Sequence, residues 1–155
     1  MISFSIRSIW DTYLTVRNFP PGSEILFTAY SIPDMHRIVT EHGLVPVPID
    51  IDPYTLAPIS VAHVTHACTP RTRAIIFAYM HGVIYDLAPY VHSLSPNIDI
   101  IEDCAQSFSH FDNFQGNARA DLSMWSFGLM KHSTCGYGAI ARVKGLSLYQ
   151  KLNDR

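Results

Sequence analysis

Short apolar segments of strand length alternate with helix-like segments along most of this chain, and no other feature constrains the fold as strongly. The predicted strands cover residues 24–29, 44–49, 73–79, 98–101, 122–127 and 137–143. The predicted helices cover residues 6–16, 34–42, 59–67, 86–94 and 146–152. Most of these strands are apolar throughout, which is typical of strands covered by helices on both faces. The pattern therefore predicts a three-layer α/β/α fold with a mostly parallel sheet in the middle.

The composition limits the classes of function. Hydrophobic residues make up 48% of the 155 residues and charged residues 15%, which indicates a folded domain with a core of its own. The formal net charge is -2 and there is no basic block, so we predict no nucleic-acid partner. No apolar run approaches the roughly 18 residues that cross a membrane. Three cysteines do not suggest a disulfide framework, which favours a reducing, cytoplasmic location.

Two carboxylates follow the apolar strand that begins at Ile98. In open parallel sheets, ligands bind at the carboxyl ends of the strands, and Glu102 and Asp103 come at that end. A carboxylate there can hold a protonated ring nitrogen through a charge-assisted hydrogen bond. The alternative is a structural role, in which the strand-end Asp103 caps the next helix.

A single lysine follows the next predicted strand. Ser126 ends that strand, and Lys131 comes five positions later in an apolar neighbourhood that favours the neutral, nucleophilic form of an amine. Ser126 can donate a hydrogen bond to a phosphate oxygen, and the glycines of residues 134–138 permit close approach of a ligand to the backbone. The alternative is that Lys131 is an ordinary exposed residue after a strand.

Five segments together resemble one known family. They are Pro21-Gly22-Ser23-Glu24-Ile25, Asp50-Ile51-Asp52-Pro53, Thr69-Pro70-Arg71-Thr72-Arg73-Ala74-Ile75-Ile76, Glu102-Asp103-Cys104-Ala105-Gln106, and Ser126-Phe127 with Lys131. In this order and spacing they are similar to motifs of the DegT/DnrJ/EryC1/StrS family of sugar aminotransferases, which are fold type I pyridoxal-phosphate enzymes. The resemblance covers roughly residues 5–145.

The resemblance implies a fold, a cofactor and a role for four residues. The fold would be the large domain of an aspartate-aminotransferase-like enzyme, and the cofactor would be pyridoxal 5'-phosphate. Asp103 would pair with the ring nitrogen, Gln106 would lie beside the ring and contact its 3'-oxygen, and Ser126 would bind the phosphate. Lys131 would hold the cofactor as a Schiff base and then carry the proton between cofactor and substrate.

The implied reaction moves an amino group from an amino-acid donor to a keto-sugar or a similar carbonyl compound. Family members are considerably longer, so residues 1–155 are interpreted as one partial domain that lacks the small C-terminal domain. We expect a homodimer in a full-length form and no membrane partner. Two other interpretations stay open: a non-catalytic remnant or interaction domain, and a related pyridoxal-phosphate-dependent sugar dehydratase.

The sequence departs from the family pattern at two places that touch the cofactor. Ile6 stands where the family has a glycine before its first helix, at the position whose backbone amides cradle the phosphate. Arg7 and Ser8 are the residues that can still serve there. An aromatic residue is expected over the ring after the first strand, but Ile32 occupies that position and Tyr30 lies two residues earlier.

The histidines allow two further hypotheses, neither of which the pattern favours. His63, His66 and Cys68 lie close together, but no fourth ligand follows at a recognisable zinc spacing, so we predict no metal site. His132 directly follows Lys131, and the related sugar dehydratases use a histidine in place of that lysine. Since the lysine is present here, the aminotransferase interpretation is favoured.

Overall fold

The computed structural model describes residues 1–108 and 115–154, and within these ranges one seven-stranded sheet is flanked by five α-helices. The strands are Ile2–Ser3 (β1), Glu24–Thr28 (β2), Val45–Ile49 (β3), Thr72–Ala78 (β4), Asp99–Asp103 (β5), Leu122–Ser126 (β6) and Ala139–Val143 (β7). The helices are Ile6–Arg17 (α1), Pro33–Glu41 (α2), Val61–Ala67 (α3), Ala88–Ser93 (α4) and Leu146–Asn153 (α5). No helix in the described part is long and apolar enough to span a bilayer.

The sheet order is β1-β7-β6-β5-β4-β2-β3. All neighbours from β3 to β6 pair in parallel, whereas β7 is antiparallel to both β6 and β1. The predicted α/β fold with a mostly parallel sheet is therefore confirmed. The pattern missed β1, because two residues are too few to show a period. The prediction of one partial domain over residues 1–155 stays a prediction, and its last residue lies outside the described residues.

Two apolar layers cover the two faces of the sheet, because successive side chains of a strand point to opposite faces. Phe27 and Ile76 pack in the cluster that contains residues of α1, α2 and α5. Leu26 and Ile75 pack in the other cluster, with residues of α3 and α4. This two-sided burial explains why the strand sequences are apolar throughout.

Helix α1 begins and ends at clear capping signals. The Ser5 hydroxyl accepts a hydrogen bond from the Ser8 amide at 3.1 Å, and Asn18 adopts the left-handed conformation that terminates the helix. Trp10 and Tyr13, one turn apart, are fully buried against the sheet. These contacts fix the helix that precedes the first parallel strand.

A buried polar cluster fixes β5 in the sheet. Glu102 is fully buried, and its carboxylate accepts hydrogen bonds from the Tyr79 hydroxyl at 2.9 Å, the Asn117 amide at 2.8 Å and the Ser123 hydroxyl. Because strand side chains alternate, Asp103 faces the opposite side from Glu102. The two adjacent carboxylates of the Glu102-Asp103 pair are therefore separated, and Glu102 is part of the core.

Gly116 lies against this cluster and provides a test of its packing. Its φ is +79°, and a Cβ at this position would lie 2.5 Å from Ser123 Oγ and 2.7 Å from Glu102 Oε2. We expect Gly116→Ala to lower the free energy of unfolding by at least about 2 kcal/mol, since overpacking and left-handed strain each cost roughly 1–3 kcal/mol. Urea denaturation measures the loss.

The matched control is Gly43→Ala. Gly43 also has a positive φ, of +70°, but no atom lies within 4 Å of a Cβ built there. Only the backbone strain of about 1 kcal/mol should remain in this variant. Equal losses in the two variants would contradict a tightly packed Glu102 cluster.

Candidate active site

The carboxyl edge of the parallel strands gathers the residues that the sequence singles out. Asp103 ends β5, Ser126 ends β6, and the chain turns after β4 through a short 3-10 helix, Met80–Gly82. A cavity of about 500 Å³ opens at this edge. Its lining consists of His81, Ala105, Gln106, Phe108, Ser126, Met130, Lys131, His132 and Ser133. Three of the four predicted site residues therefore line one cavity.

The fourth predicted residue, Asp103, is buried next to Ala105, which lines this cavity. Its Oδ1 accepts a hydrogen bond from the Ala105 amide at 3.0 Å. Burial raises the pKa of Asp103, while the Ala105 amide and the positive charge of Lys131 act in the opposite direction. Within residues 104–108 the chain makes a turn, so Asp103 caps a turn and does not precede a helix directly. A buried carboxylate with a raised pKa favours a cationic ligand group beside it.

Lys131 lies on the loop between β6 and β7, and this loop is held by its own backbone. The Phe127 amide donates to the Gly138 carbonyl at 2.8 Å, and the Cys135 amide donates to the Phe127 carbonyl at 3.0 Å. The Lys131 amide closes a turn onto the Gly128 carbonyl at 3.0 Å. Lys131 is half-buried, so it is not the exposed lysine of the alternative interpretation.

The sequence interpretation missed His81, which lines the same cavity. His81 has a left-handed backbone, with φ 55° and ψ 22°. Its amide donates to Gln106 Oε1 at 2.8 Å, and its Nε2 lies 3.1 Å from the Tyr30 hydroxyl. The only signal in the sequence is the His81-Gly82 pair after an apolar strand, which indicates a turn but not its partners.

The start of α1 has partners within the protein. Ile6 is 6% exposed and belongs to the core, so the residue at the family's glycine position faces inward. Arg7 Nε lies 3.6 Å from Asp34 Oδ2, and the Ser8 amide donates to the Ser5 hydroxyl. The two residues that remained as candidates for phosphate binding at this helix are thus already engaged.

The histidines of α3 form local contacts. His66 Nδ1 lies 2.6 Å from the Ala62 carbonyl, and the Cys68 thiol donates to the Val64 carbonyl at 3.4 Å. In the part of the chain that the structure describes, no three His, Cys, Asp or Glu side chains come together in a metal-binding arrangement.

A family model matches most of the chain, in agreement with the motifs and with the geometry of the site. Residues 11–151 match the model of the DegT/DnrJ/EryC1/StrS aminotransferase family. The chain belongs to this family. The matched range includes all four predicted site residues, and the resemblance predicted from the five motifs is confirmed.

The curated relatives that this member of the family matches are longer proteins. The chain is 31% identical over 140 residues to Protein MosB of Rhizobium meliloti, which covers 86% of the chain and 27% of the relative. It is 44% identical over 87 residues to the L-glutamine:2-deoxy-scyllo-inosose aminotransferase of Micromonospora echinospora, which covers 56% of the chain and 20% of the relative. The chain therefore spans about a quarter of the length of these relatives.

A solved structure confirms the fold of this family member. NtdA of Bacillus subtilis with bound cofactor PMP superposes with a TM-score of 0.85 at 23% identity, covering 98% of this chain and 34% of that chain. The predicted fold type I architecture is therefore confirmed.

Proposed function

We propose that the chain is the cofactor-binding core of a pyridoxal-phosphate-dependent aminotransferase. The observation that carries the proposal is the cavity at the carboxyl edge of the sheet. Two strand ends and two loops bring a buried carboxylate, an amide, a hydroxyl and an amine to this one place; these are Asp103, Gln106, Ser126 and Lys131. Family membership supports the same interpretation.

These residues fit the chemical groups of pyridoxal phosphate. When bound, the cofactor supplies an aldehyde that joins amines covalently and a ring that withdraws electrons from the bond to be broken. Asp103 suits a protonated ring nitrogen, since a cation there offsets the desolvation of its buried carboxylate. The PMP in the Bacillus subtilis NtdA structure is the amino form of this cofactor.

The other three residues divide the remaining tasks. Lys131 would hold the cofactor through a covalent bond from its Nζ, and its amine, once freed, would carry the proton at the substrate carbon. Ser126 would donate a hydrogen bond from its hydroxyl group to a phosphate oxygen. Gln106 would donate a hydrogen bond from its amide NH2 to the 3'-oxygen of the ring. Phe108 lines the same cavity, and its ring packs edge-on against Phe127 at 5.0 Å, which helps to exclude water.

The substrates and the assembly are part of the proposal. An amino acid would be the donor and a keto-sugar or similar carbonyl compound the acceptor, in line with the name of the Micromonospora echinospora relative. Large apolar side chains near the Lys131 loop are exposed, which supports a homodimer in the full-length protein; they are Phe4, Leu129, Met130 and Tyr137. Three free cysteines support a cytoplasmic location.

The two other interpretations have less support. A sugar dehydratase would use a histidine where this chain has Lys131, and Lys131 lines the cavity. The support for a non-catalytic domain is limited to the start of α1, where Arg7 and Ser8 already have protein partners. Release of a 2-oxo acid from an amino-acid donor is the measurement that separates these cases.

We expect the chain loaded with pyridoxal phosphate to deaminate an L-amino acid once. Addition of L-glutamine should release about one equivalent of 2-oxo acid per bound cofactor, because the amino group stays on the cofactor. Rapid quench and chromatography measure the product, and D-glutamine is the matched control. Cofactor binding without release of any 2-oxo acid would leave only a non-catalytic cofactor-binding domain.

A further inference from the structure

The Met80–Gly82 segment packs on the turn that carries Gln106, and this contact is the basis of the inference. His81 has a φ of 55°, an uncommon conformation for a residue with a side chain. Gly82 follows with a φ of +78°, and a Cβ on it would lie 3.4 Å from the Gln106 carbonyl oxygen. Two successive left-handed residues thus place this segment directly against Gln106.

The hydrogen bond between the two segments determines how the Gln106 side chain is oriented. A backbone amide only donates, so the Gln106 atom that lies 2.8 Å from His81 N must be the side-chain oxygen. Gln106 lines the cavity, and the NH2 of its amide group is therefore the part that remains available to a ligand. An NH2 group donates hydrogen bonds and does not accept them.

The left-handed backbone of His81 is held from the other side by its ring. Nε2 lies 3.1 Å from the Tyr30 hydroxyl, and the two ring centroids are 5.6 Å apart. A left-handed conformation at a residue with a side chain costs free energy and persists only where its surroundings enforce it. Here the Gln106 oxygen and the Tyr30 phenol supply those contacts.

We propose that His81 is a positioning residue whose left-handed backbone fixes Gln106 as a hydrogen-bond donor toward the ligand oxygen in the Lys131 cavity. The ligand oxygen is the 3'-oxygen of the cofactor ring, so this inference rests on the proposed function. His81 acts on Gln106 through its backbone amide. Its imidazole only helps to hold the strained left-handed backbone, which a glycine adopts without that help.

The first arm of the test uses the cofactor-free chain. Amide hydrogen exchange of His81 should be slow in the wild type and in Gln106→Glu, which keeps an acceptor oxygen. It should be at least about tenfold faster in Gln106→Leu, which has none. Equal exchange rates in the three proteins would overturn the proposal, whether or not the chain binds cofactor.

The second arm uses the cofactor-loaded protein and a pair of His81 variants. Both His81→Gly and His81→Val remove the ring, but only glycine adopts the left-handed backbone without strain. A donor to the ring oxygen stabilises its anion, so losing that donor should raise the pH midpoint of the cofactor's absorption change by about one unit. We expect this shift in His81→Val and in Gln106→Leu, and no shift in His81→Gly.

The outcomes distinguish the inference from the proposed function. A shift in His81→Gly as large as that in Gln106→Leu would assign the effect to the imidazole and overturn the proposal. The same conclusion follows if Gln106→Leu leaves the midpoint unchanged. If no cofactor attaches to the wild-type protein, the proposed function fails, while the exchange arm still decides whether His81 and Gln106 are joined.

Discussion

Replacement of Lys131 with alanine should abolish covalent capture of pyridoxal phosphate. Lys131 is a half-buried amine in the cavity, and its Nζ is the atom that we expect to bond to the cofactor aldehyde. The wild-type chain should gain the mass of one reduced cofactor after borohydride treatment, located on the peptide with Lys131. Lys131→Ala should gain none, and release of 2-oxo acid should slow by at least roughly a hundredfold, since the proton carrier is lost too.

Lys144→Ala is the matched control for this loss. Lys144 is exposed and lies 3.9 Å from Asp121 Oδ1, near the amino end of β6 and thus at the opposite edge of the sheet. Its removal should leave the adduct unchanged. A borohydride adduct of equal yield in Lys131→Ala would show that another amine captures the cofactor, and it would remove the proposed role of Lys131.

Asp103→Asn should weaken cofactor binding about ten- to a hundredfold without destabilising the cofactor-free chain. A charge-assisted hydrogen bond contributes roughly 1.5–3 kcal/mol, and asparagine loses the charge that holds the ring nitrogen. Asparagine keeps an oxygen that can accept from the Ala105 amide, so the turn at this position is preserved. Cofactor affinity by fluorescence titration and the melting temperature should be measured on the same protein.

The pH dependence of the stability of Asp103→Asn provides a second test. Because burial raises the pKa of Asp103 in the folded chain, the folded state holds this proton more tightly than the unfolded state. Its ionisation therefore disfavours the cofactor-free fold once the pH rises above the ordinary aspartate range. Asp103→Asn should lack this loss, so its stability relative to the wild type should increase from acidic to neutral pH.

Glu102→Gln is the control for Asp103. Glu102 is the adjacent residue and is also buried, but its hydrogen-bond partners are Tyr79, Ser123 and Asn117. We expect Glu102→Gln to lower the melting temperature and to leave cofactor affinity unchanged. If Asp103→Asn instead behaved in this way, Asp103 would be a structural residue and its cofactor role would be wrong.

The segment around β5 shows how far the sequence predicts the site. The apolar residues before Glu102 predict a buried strand, and the structure contains it. The two acidic residues at the end of this strand predict a functional edge, which stays a prediction. The motifs then select Asp103 over Glu102. The structure buries Asp103 next to Ala105, which lines the cavity, and places Glu102 in a core cluster. Periodicity alone could not make this distinction, because it does not show which face of the strand meets the ligand.

The segment after β4 shows where sequence reasoning stops. His81 is an ordinary residue type in a turn, and its left-handed backbone depends on Gln106, which lies 25 positions later, and on Tyr30, 51 positions earlier. The surroundings of the residues at the start of α1 could not be predicted from the sequence either. Ile6 faces the core there, and Arg7 pairs with Asp34 of another helix.

Local patterns along the chain determined the alternation of strands and helices and the family, and they singled out Asp103, Gln106, Ser126 and Lys131 as candidate site residues. These depend on the burial period of each element and on short motifs, which act over a few residues and can be read in order. The tertiary structure alone decided that three of these residues share a cavity, that Asp103 is buried next to Ala105 of its lining, and that the His81 amide donates to Gln106. Contacts of this kind join residues that are far apart in the chain. They arise only when the strands lie side by side in the sheet, because that packing fixes which faces and which ends of the elements meet.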